Sequence, residues 1–258
     1  MSMPADTMKA LLLGDVYGAS GCRAVSFLLP QLKQSTQADI VIVNGENATE
    51  GFSLALEEMN TIFKAGADVI TSGNHIWGSD DIRPFLDTRN EMLRPANYPP
   101  GVPGHGSCIV NGIGVINIQG RVSMPAIDDP FRCAATLVGK LSKEVKAIFV
   151  DFHAECPQEK EAMAYFLDGS VTAVVGTHTH VQTADQRILA KGTAYITDLG
   201  LCGPLESVIG SEVGLSISKQ LEQMPYKPIQ SENPSTLQGV IVTFDSNTGK
   251  ALSIQRLA

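Results

Sequence analysis

The chain has 258 residues, 43% of them apolar, a formal net charge of −8 and only five histidines. That length and apolar content support a substantial core and exclude a disordered chain, while an acidic balance without any basic run excludes an extended nucleic-acid surface. An anionic substrate therefore needs local positive charge, most simply from metal ions.

The cysteines Cys22, Cys108, Cys133, Cys156 and Cys202 are odd in number, scattered and without a CxxC pair. This argues against a disulfide framework and for a reducing, cytoplasmic compartment. No run approaches the roughly 18 apolar residues of a membrane span, and the N-terminus lacks the basic-then-apolar layout of a signal peptide. The stretch MSMPADT before Met8 reads as an appended tag or an alternative start. No repeat, low-complexity tract or linker interrupts the chain, so residues 1–258 are expected to form a single domain.

In chain order, KALLLGD reads as a strand, followed by a helix through AVSFLLPQLKQ that Pro30 is expected to kink. ADIVIVNGEN is followed by a helical LALEEMNTIFKAG, and ADVITSGNH by a helical segment near SDDIRPFLD. The Pro- and Gly-rich stretch from Arg94 to Ser107 reads as a long loop at the rim of a site. KAIFVDFH precedes the helical QEKEAMAYFLD, and VTAVVGTHTH precedes further short strands. The apolar runs do not alternate strictly, which indicates strands buried on both faces, and their alternation with helices indicates βαβ units. TLQGVIVTFDSNTGKALSIQRL differs: two β-rich runs around DSNTG read as a hairpin. The expectation is a sheet with parallel central strands and antiparallel additions.

The residues standing just after the apolar runs carry the chemistry. They are Asp15 after LLLG, Glu46 and Asn47 after IVIVNG, Asn74 and His75 after VITSG, His153 after AIFVDF, and His178 and His180 after AVVGT. Ligands in open α/β sheets sit outside the carboxyl ends of strands. Singly, each has an ordinary explanation: a helix cap for Asp15, a turn for Asn74, a satisfied buried histidine for His153, a polar strand end for the HTH pair. Glu46 is harder to explain away, because a carboxylate at a buried strand end must be paired or metal-bound. Agreement among five strand ends points to one site. In an extended segment His178 and His180 point the same way, with Thr179 opposite.

Carboxylate, amide and imidazole without thiolate suit Mn, Fe or Zn. There are too many ligands for one tetrahedral ion, and the two oxygens of Glu46 can bridge a pair. Two metals about 3.5–4 Å apart stabilise the attacking and leaving oxygens of an in-line displacement, so phosphoryl chemistry is the leading class.

GDVYG, NGEN, GNH, the histidine of DFHAE, and GTHTH together resemble the ordered blocks of calcineurin-like metallophosphoesterases. The resemblance is closest to the bacterial subfamily that hydrolyses cyclic nucleotides, 2′,3′-cyclic nucleotides included, and it runs from Met8 to about Gly210. It implies an α/β fold, a four-layer α/β/β/α sandwich of two mixed sheets flanked by helices, with a dinuclear centre. Asp15, Glu46, Asn47 and His180 would hold one metal, and Glu46, Asn74, His153 and His178 the other, with Glu46 the bridge. His75 would be the proton donor to the leaving oxygen after attack by a metal-bound hydroxide.

Two departures from the wider superfamily are typical of the subfamily. The usual Asp-x-His reads Asp15-Val16-Tyr17, so that Asn47 fills in, and the usual bridging aspartate is Glu46. The amide oxygen moves one subsite toward harder ions, which favours Fe or Mn, with Zn or Mg as alternatives. Asp198 in YITDLG is a candidate to orient a ligand histidine from behind. Arg121 is a candidate to steer a phosphate, though a solvated loop arginine is the plainer reading, as is a surface role for His105. The expected substrate is a small cyclic nucleotide or other phosphodiester, 3′,5′-cyclic phosphates included. The rivals are a phosphomonoesterase or protein phosphatase with the same metals, and a regulatory protein that holds nucleotide without turnover. A homo-oligomer is compatible with all of these.

Overall fold

In the computed structural model, which describes residues 6–257, the first apolar run forms β1 (Thr7–Val16), buried from Ala10 onward. The strand begins earlier than expected: Thr7 pairs with Asp245, and the Asp6 carbonyl accepts from the backbone of Ser246. The rest of the segment read as a tag, residues 1–5, lies outside the described residues. Helix α1 (Gly18–Thr36) continues through Pro30 and starts well before AVSF. Its small first-turn residues permit this, since a Cβ on Gly21 would collide with the Cys202 carbonyl.

Next come β2 (Ile40–Asn44), α2 (Leu56–Lys64), β3 (Val69–Thr71) and the short α3 (Arg83–Leu86). The Pro/Gly stretch is a loop as expected, pinned by the Arg94 guanidinium on the carbonyls of Pro103 and Pro95. It leads into β4 (Ser107–Val110), then β5 (Ile113–Gln119), α4 (Pro130–Leu141), β6 (Ala147–His153), α5 (Pro157–Leu167) and β7 (Ala173–Thr177). The chain ends with β8 (Arg187–Ile188), β9 (Ala194–Ile196), β10 (Leu201–Pro204), α6 (Val213–Glu222), β11 (Ser235–Thr236), and the antiparallel pair β12 (Gly239–Asp245) and β13 (Ala251–Arg256).

These strands form a seven-stranded and a six-stranded sheet. In the first, β1 is flanked by parallel β2 and then β3, by antiparallel β12, and near its end by parallel β10. In the second, β5, β6, β7 and β9 run parallel, and antiparallel β4 and β8 close the edges. Alternation along each strand sorts the core into three layers. Leu11, Leu13, Val41 and Val43 face Val25 and Leu29 of α1 and Met59 and Ile62 of α2. Their neighbours Ala10, Leu12, Ile40 and Ile42 meet Val115, Phe149 and Val175 between the sheets. On the far side Ile116, Ile148 and Val150 pack under Val138 of α4 and Met163 of α5.

The result is the four-layer α/β/β/α sandwich, with both sheets covered on both faces, which is why the runs read as continuous apolar stretches. No helix among the described residues is long and apolar enough to cross a membrane.

A candidate metal centre between the two sheets

β1, β2 and β3 of one sheet and β6 and β7 of the other deliver their carboxyl ends to a common edge of the sandwich. His153 is the last residue of β6, fully buried, and its Nε2 lies 2.9 Å from Glu46 Oε1 across the sheets. Asn74 Oδ1 is 3.3 Å and His178 Nδ1 is 3.1 Å from the same nitrogen. A second group lies beside it: His180 Nε2 is 3.3 Å from Asn47 Oδ1 and 3.8 Å from Asp15 Oδ1. All seven residues singled out as ligands therefore meet, in two groups adjoining through Glu46 and Asp15.

The protonation of the three histidines follows from their outer partners. Thr177 Oγ1 gives its single proton to Asp151 Oδ1 at 2.7 Å, so its 2.9 Å contact with His153 Nδ1 must be a donation from the imidazole. His178 Nε2 lies 3.1 Å from Glu155 Oε2, and His180 Nδ1 donates to the Ile209 carbonyl at 3.2 Å. Every outer ring nitrogen is thus tied to an oxygen, the arrangement that orients metal-ligating histidines. The inner nitrogens, His153 Nε2, His178 Nδ1 and His180 Nε2, converge. Between them lie Glu46 Oε1 and Asp15 Oδ1, buried oxygens without a hydrogen bond of proper geometry.

Charge in the cluster is shared: a proton on His153 Nε2 faces both His178 Nδ1 and Glu46 Oε1. Burial pushes Asp15 up to about 6 against the pull of His180 and His153. Burial also opposes the charge of Glu46, yet His153 and His75 hold it down at about 2. His153 resists charging by its burial, but Glu46, Asp15 and Asp151 push it up to about 9, while burial and the neighbouring His153 drive His178 down to about 3. Lys160, the buried lysine nearby, is 2.7 Å from Asp198, and among the described residues no lysine or arginine pairs with Asp15 or Glu46. Buried carboxylates that no lysine or arginine neutralises, set among imidazoles and amide oxygens, fit cations, and the donor set fits them chemically.

Gly73 makes the approach possible, since a Cβ there would fall less than 3.0 Å from His153 Nε2 and Glu46 Oε2.

His75 stands just outside the group. Its Nδ1 is 3.2 Å from Asn47 Nδ2 and 3.8 Å from Glu46 Oε1, and its backbone donates to Glu46 Oε2 at 3.2 Å. Asn47 thereby does two things: its oxygen faces His180, and its NH₂ donates to the Gly51 carbonyl and to His75 Nδ1.

The structure also corrects several sequence readings. His178 and His180 are not in extended backbone, with φ of 100° and 62°, so their rings diverge into the two groups instead of sharing a face. Asp198 touches neither ring. Its Oδ2 accepts from Lys160 and from the backbone and hydroxyl of Thr179, gripping the residue between them. Arg121 is paired with Asp129, the N-cap of α4, at 3.2 Å, while His105 is exposed, as its surface reading expected. None of the residues of the Pro/Gly loop lines the cavity over the metal-ligand cluster. The sequence reading missed Asp151, Thr177 and Glu155, although D-x-H-x-E in DFHAE carried a signal for two of them.

A cavity of about 400 Å³ opens over the cluster, reaching Glu46, Asn47, His75, His178 and His180. Residues 11–257 match the model of the YmdB-like protein family. The chain is 43% identical to a 2′,3′-cyclic-nucleotide 2′-phosphodiesterase of Bacillus subtilis, over 97% of this chain and 96% of that protein. It is 36% identical to a Mycoplasma pneumoniae protein provisionally named phosphatase/phosphodiesterase, over 98% of this chain and 93% of that one. Among solved structures it resembles a phosphatase from Mycoplasma pneumoniae, with a TM-score of 0.90 and 36% identity, covering 97% of this chain and 92% of the other. It also resembles a hypothetical protein from Thermus thermophilus, with a TM-score of 0.87 and 35% identity, over 97% and 98% of the two chains.

Proposed function

The chain belongs to the YmdB-like family, and from that premise we propose that it is a dinuclear metal-dependent phosphodiesterase whose substrates are cyclic nucleotides, the 2′,3′-cyclic ones foremost. The observation that carries this reading is the convergence of one ring nitrogen from each of three histidines on two buried carboxylate oxygens that lack a hydrogen bond of proper geometry. Asp15, Glu46, Asn47 and His180 hold one ion, Glu46, Asn74, His153 and His178 the other, and iron or manganese suits the set best. Bound ions supply Lewis-acid charge for the phosphate oxygens and lower the pKa of water from about 15.7 to about 7.

The protein's own groups do the rest. Asn47 Nδ2 donates to His75 Nδ1, so Nε2 is the ring nitrogen that can carry the proton to be given. From there it passes to the departing ribose oxygen, a general-acid role. Glu155, Thr177 and the Ile209 carbonyl keep the ligand histidines in one tautomer, and a cavity of about 400 Å³ suits a small substrate.

The test is a side-by-side assay of 2′,3′-cyclic AMP, 3′,5′-cyclic AMP and p-nitrophenyl phosphate on protein whose metal content has been measured. Turnover of the 2′,3′-cyclic diester with about two ions per chain is the expected result. Turnover of the monoester alone would overturn the diester assignment, and full activity with one ion or none would overturn the dinuclear one.

A further inference from the structure

Beyond the metal-ligand cluster, two large apolar side chains stand exposed at the mouth of the same cavity: Phe52 at 46% and Ile209 at 51%. Exposed apolar groups have no part in holding ions or phosphate, and both are fixed in place at a cost. Phe52 sits on a tight turn closed by the Thr49–Ser53 bridge, with Gly51 at a φ of +79° beside it. That turn is tied to the site through the Asn47 donation to the Gly51 carbonyl. Ile209 is held at a φ of 47°, a conformation that a β-branched residue adopts only under strain. Its carbonyl is the acceptor of His180 Nδ1.

Tyr17 explains how the two come to share one opening. A Cβ on Gly51 would lie 2.7 Å from Tyr17 Cζ, and one on Gly210 would lie 2.5 Å from Tyr17 Cδ1, so the tyrosine ring is clasped between the two turns. Its hydroxyl is 3.1 Å from Ser211 Oγ. Phe52 and Ile209, each next to one of those glycines, are thereby set as two lips about a single ring. The Phe52 ring meets His75 tilted at 56°, with centroids 5.7 Å apart, so it is not buried face-on against the histidine.

We infer that Phe52 and Ile209 form a slot for the nucleobase, in which the base stacks on the Phe52 ring and Ile209 closes the other side, while the phosphate lies at the metal-ligand cluster. This rests on the cyclic-nucleotide reading above and deepens it: a flat aromatic group on the sugar is part of what the site recognises. Stacking is tolerant of base identity, because every base has a π-face.

The test compares 2′,3′-cyclic AMP with the base-free methyl riboside 2′,3′-cyclic phosphate, on wild-type protein and on Phe52→Ala and Phe52→Tyr. Phe52→Ala should raise KM for the nucleotide about tenfold, the worth of one base–aromatic contact. It should leave kcat and all constants for the base-free diester unchanged, and Phe52→Tyr should restore the nucleotide KM. A parallel titration with adenosine 3′-monophosphate and ribose 3-phosphate reads binding without turnover, and Phe52→Ala should weaken only the former. An unchanged nucleotide KM in Phe52→Ala, or an equal change for both diesters, would overturn the slot while leaving the phosphodiesterase reading intact. Wild-type protein inert toward both diesters would overturn that reading instead, and the slot would then stand or fall on the monophosphate titration.

Discussion

Gly73→Ala adds one methyl group at the most crowded point of the metal-ligand cluster and should empty it of metal. The new Cβ would lie less than 3.0 Å from His153 Cδ2, His153 Nε2 and Glu46 Oε2, closer than real Cβ atoms come. Non-bonded carbon contacts are optimal at about 3.5–4.0 Å, so the pair must retreat by roughly an ångström. Neither has room: His153 is 0% and Glu46 1% exposed, and His153 is backed by Thr177 and Asp151. Coordination tolerates a displacement of only about 0.2 Å, so the retreat removes both residues as ligands at once. Overpacking of this kind costs about 1–3 kcal/mol, and at about 2–4 °C per kcal/mol for a chain of this size Tm should fall by about 2–12 °C. Elemental analysis, calorimetry and turnover are measured together, with Gly139→Ala as control. Gly139 lies in α4 with nothing within 4 Å of its added Cβ, so that variant should keep its metal and gain up to about 1 kcal/mol of helix stability. A Gly73→Ala protein with native metal content and turnover would refute the placement of Glu46 and His153 as ligands.

His75→Ala should retain metal yet lose roughly 10²–10⁴-fold in kcat on ribose esters, and less on p-nitrophenyl esters, whose leaving group needs no proton; equal losses on both would remove the acid role. Glu46→Gln keeps the side-chain shape but replaces one oxygen with an NH₂ that binds no metal. It also forfeits an attraction of about 4 kcal/mol per unit charge at about 4 Å and an effective dielectric of about 20. Metal content should drop and hydrolysis stop with the circular-dichroism spectrum unchanged, and two retained ions with normal turnover would show that Glu46 is no bridge. Lys160→Met leaves Asp198, 0% exposed, without its charged partner, a loss of about 3–5 kcal/mol that denaturant titration should register; a change below about 1 kcal/mol would mean that the pair is not what holds Thr179.

The meeting of the candidate ligands was legible because each stands directly after an apolar run, and parallel strands all deliver their ends to one edge. What the runs could not reveal was the path of the backbone between His178 and His180. Alternation assumes an extended chain, but here φ is positive at both histidines. The bonds that impose this come from afar in sequence: Asp15 accepts from the His178 backbone and Asp198 from Thr179. The second sheet is legible only in part. IGVINIQ is a plain buried strand, and Asp129 before a Pro-initiated helix is a recognisable cap, yet the Pro- and Gly-rich stretch beside them dominates that part of the sequence and hides both. Helix α6 is a different case: none of its residues is buried, and Val213, Ile217 and Leu221 stand exposed, so its apolar residues mark no core-facing stripe.

Tyr17 shows how a lost ligand can be absorbed by the fold. Where the wider superfamily places a histidine, this chain has a phenol that is 4% exposed, packed edge-on against His180 with ring centroids 5.7 Å apart. A phenol is bulkier than an imidazole and offers its oxygen farther from the backbone, and here that oxygen reaches Ser211. The space it fills is the gap between the Gly51 and Gly210 turns, so the residue that gives up coordination becomes the strut that sets the width of the cavity. In the proposed centre the vacated coordination position would fall to Asn47, whose NH₂ is already engaged by Gly51 and His75, fixing which amide atom faces the cluster. Tyr17 and Asn47 therefore act as one exchange: the first without the second would leave Asp15 and Glu46 with too few neutral donors, and the second without the first would leave the two turns without the ring that spaces them.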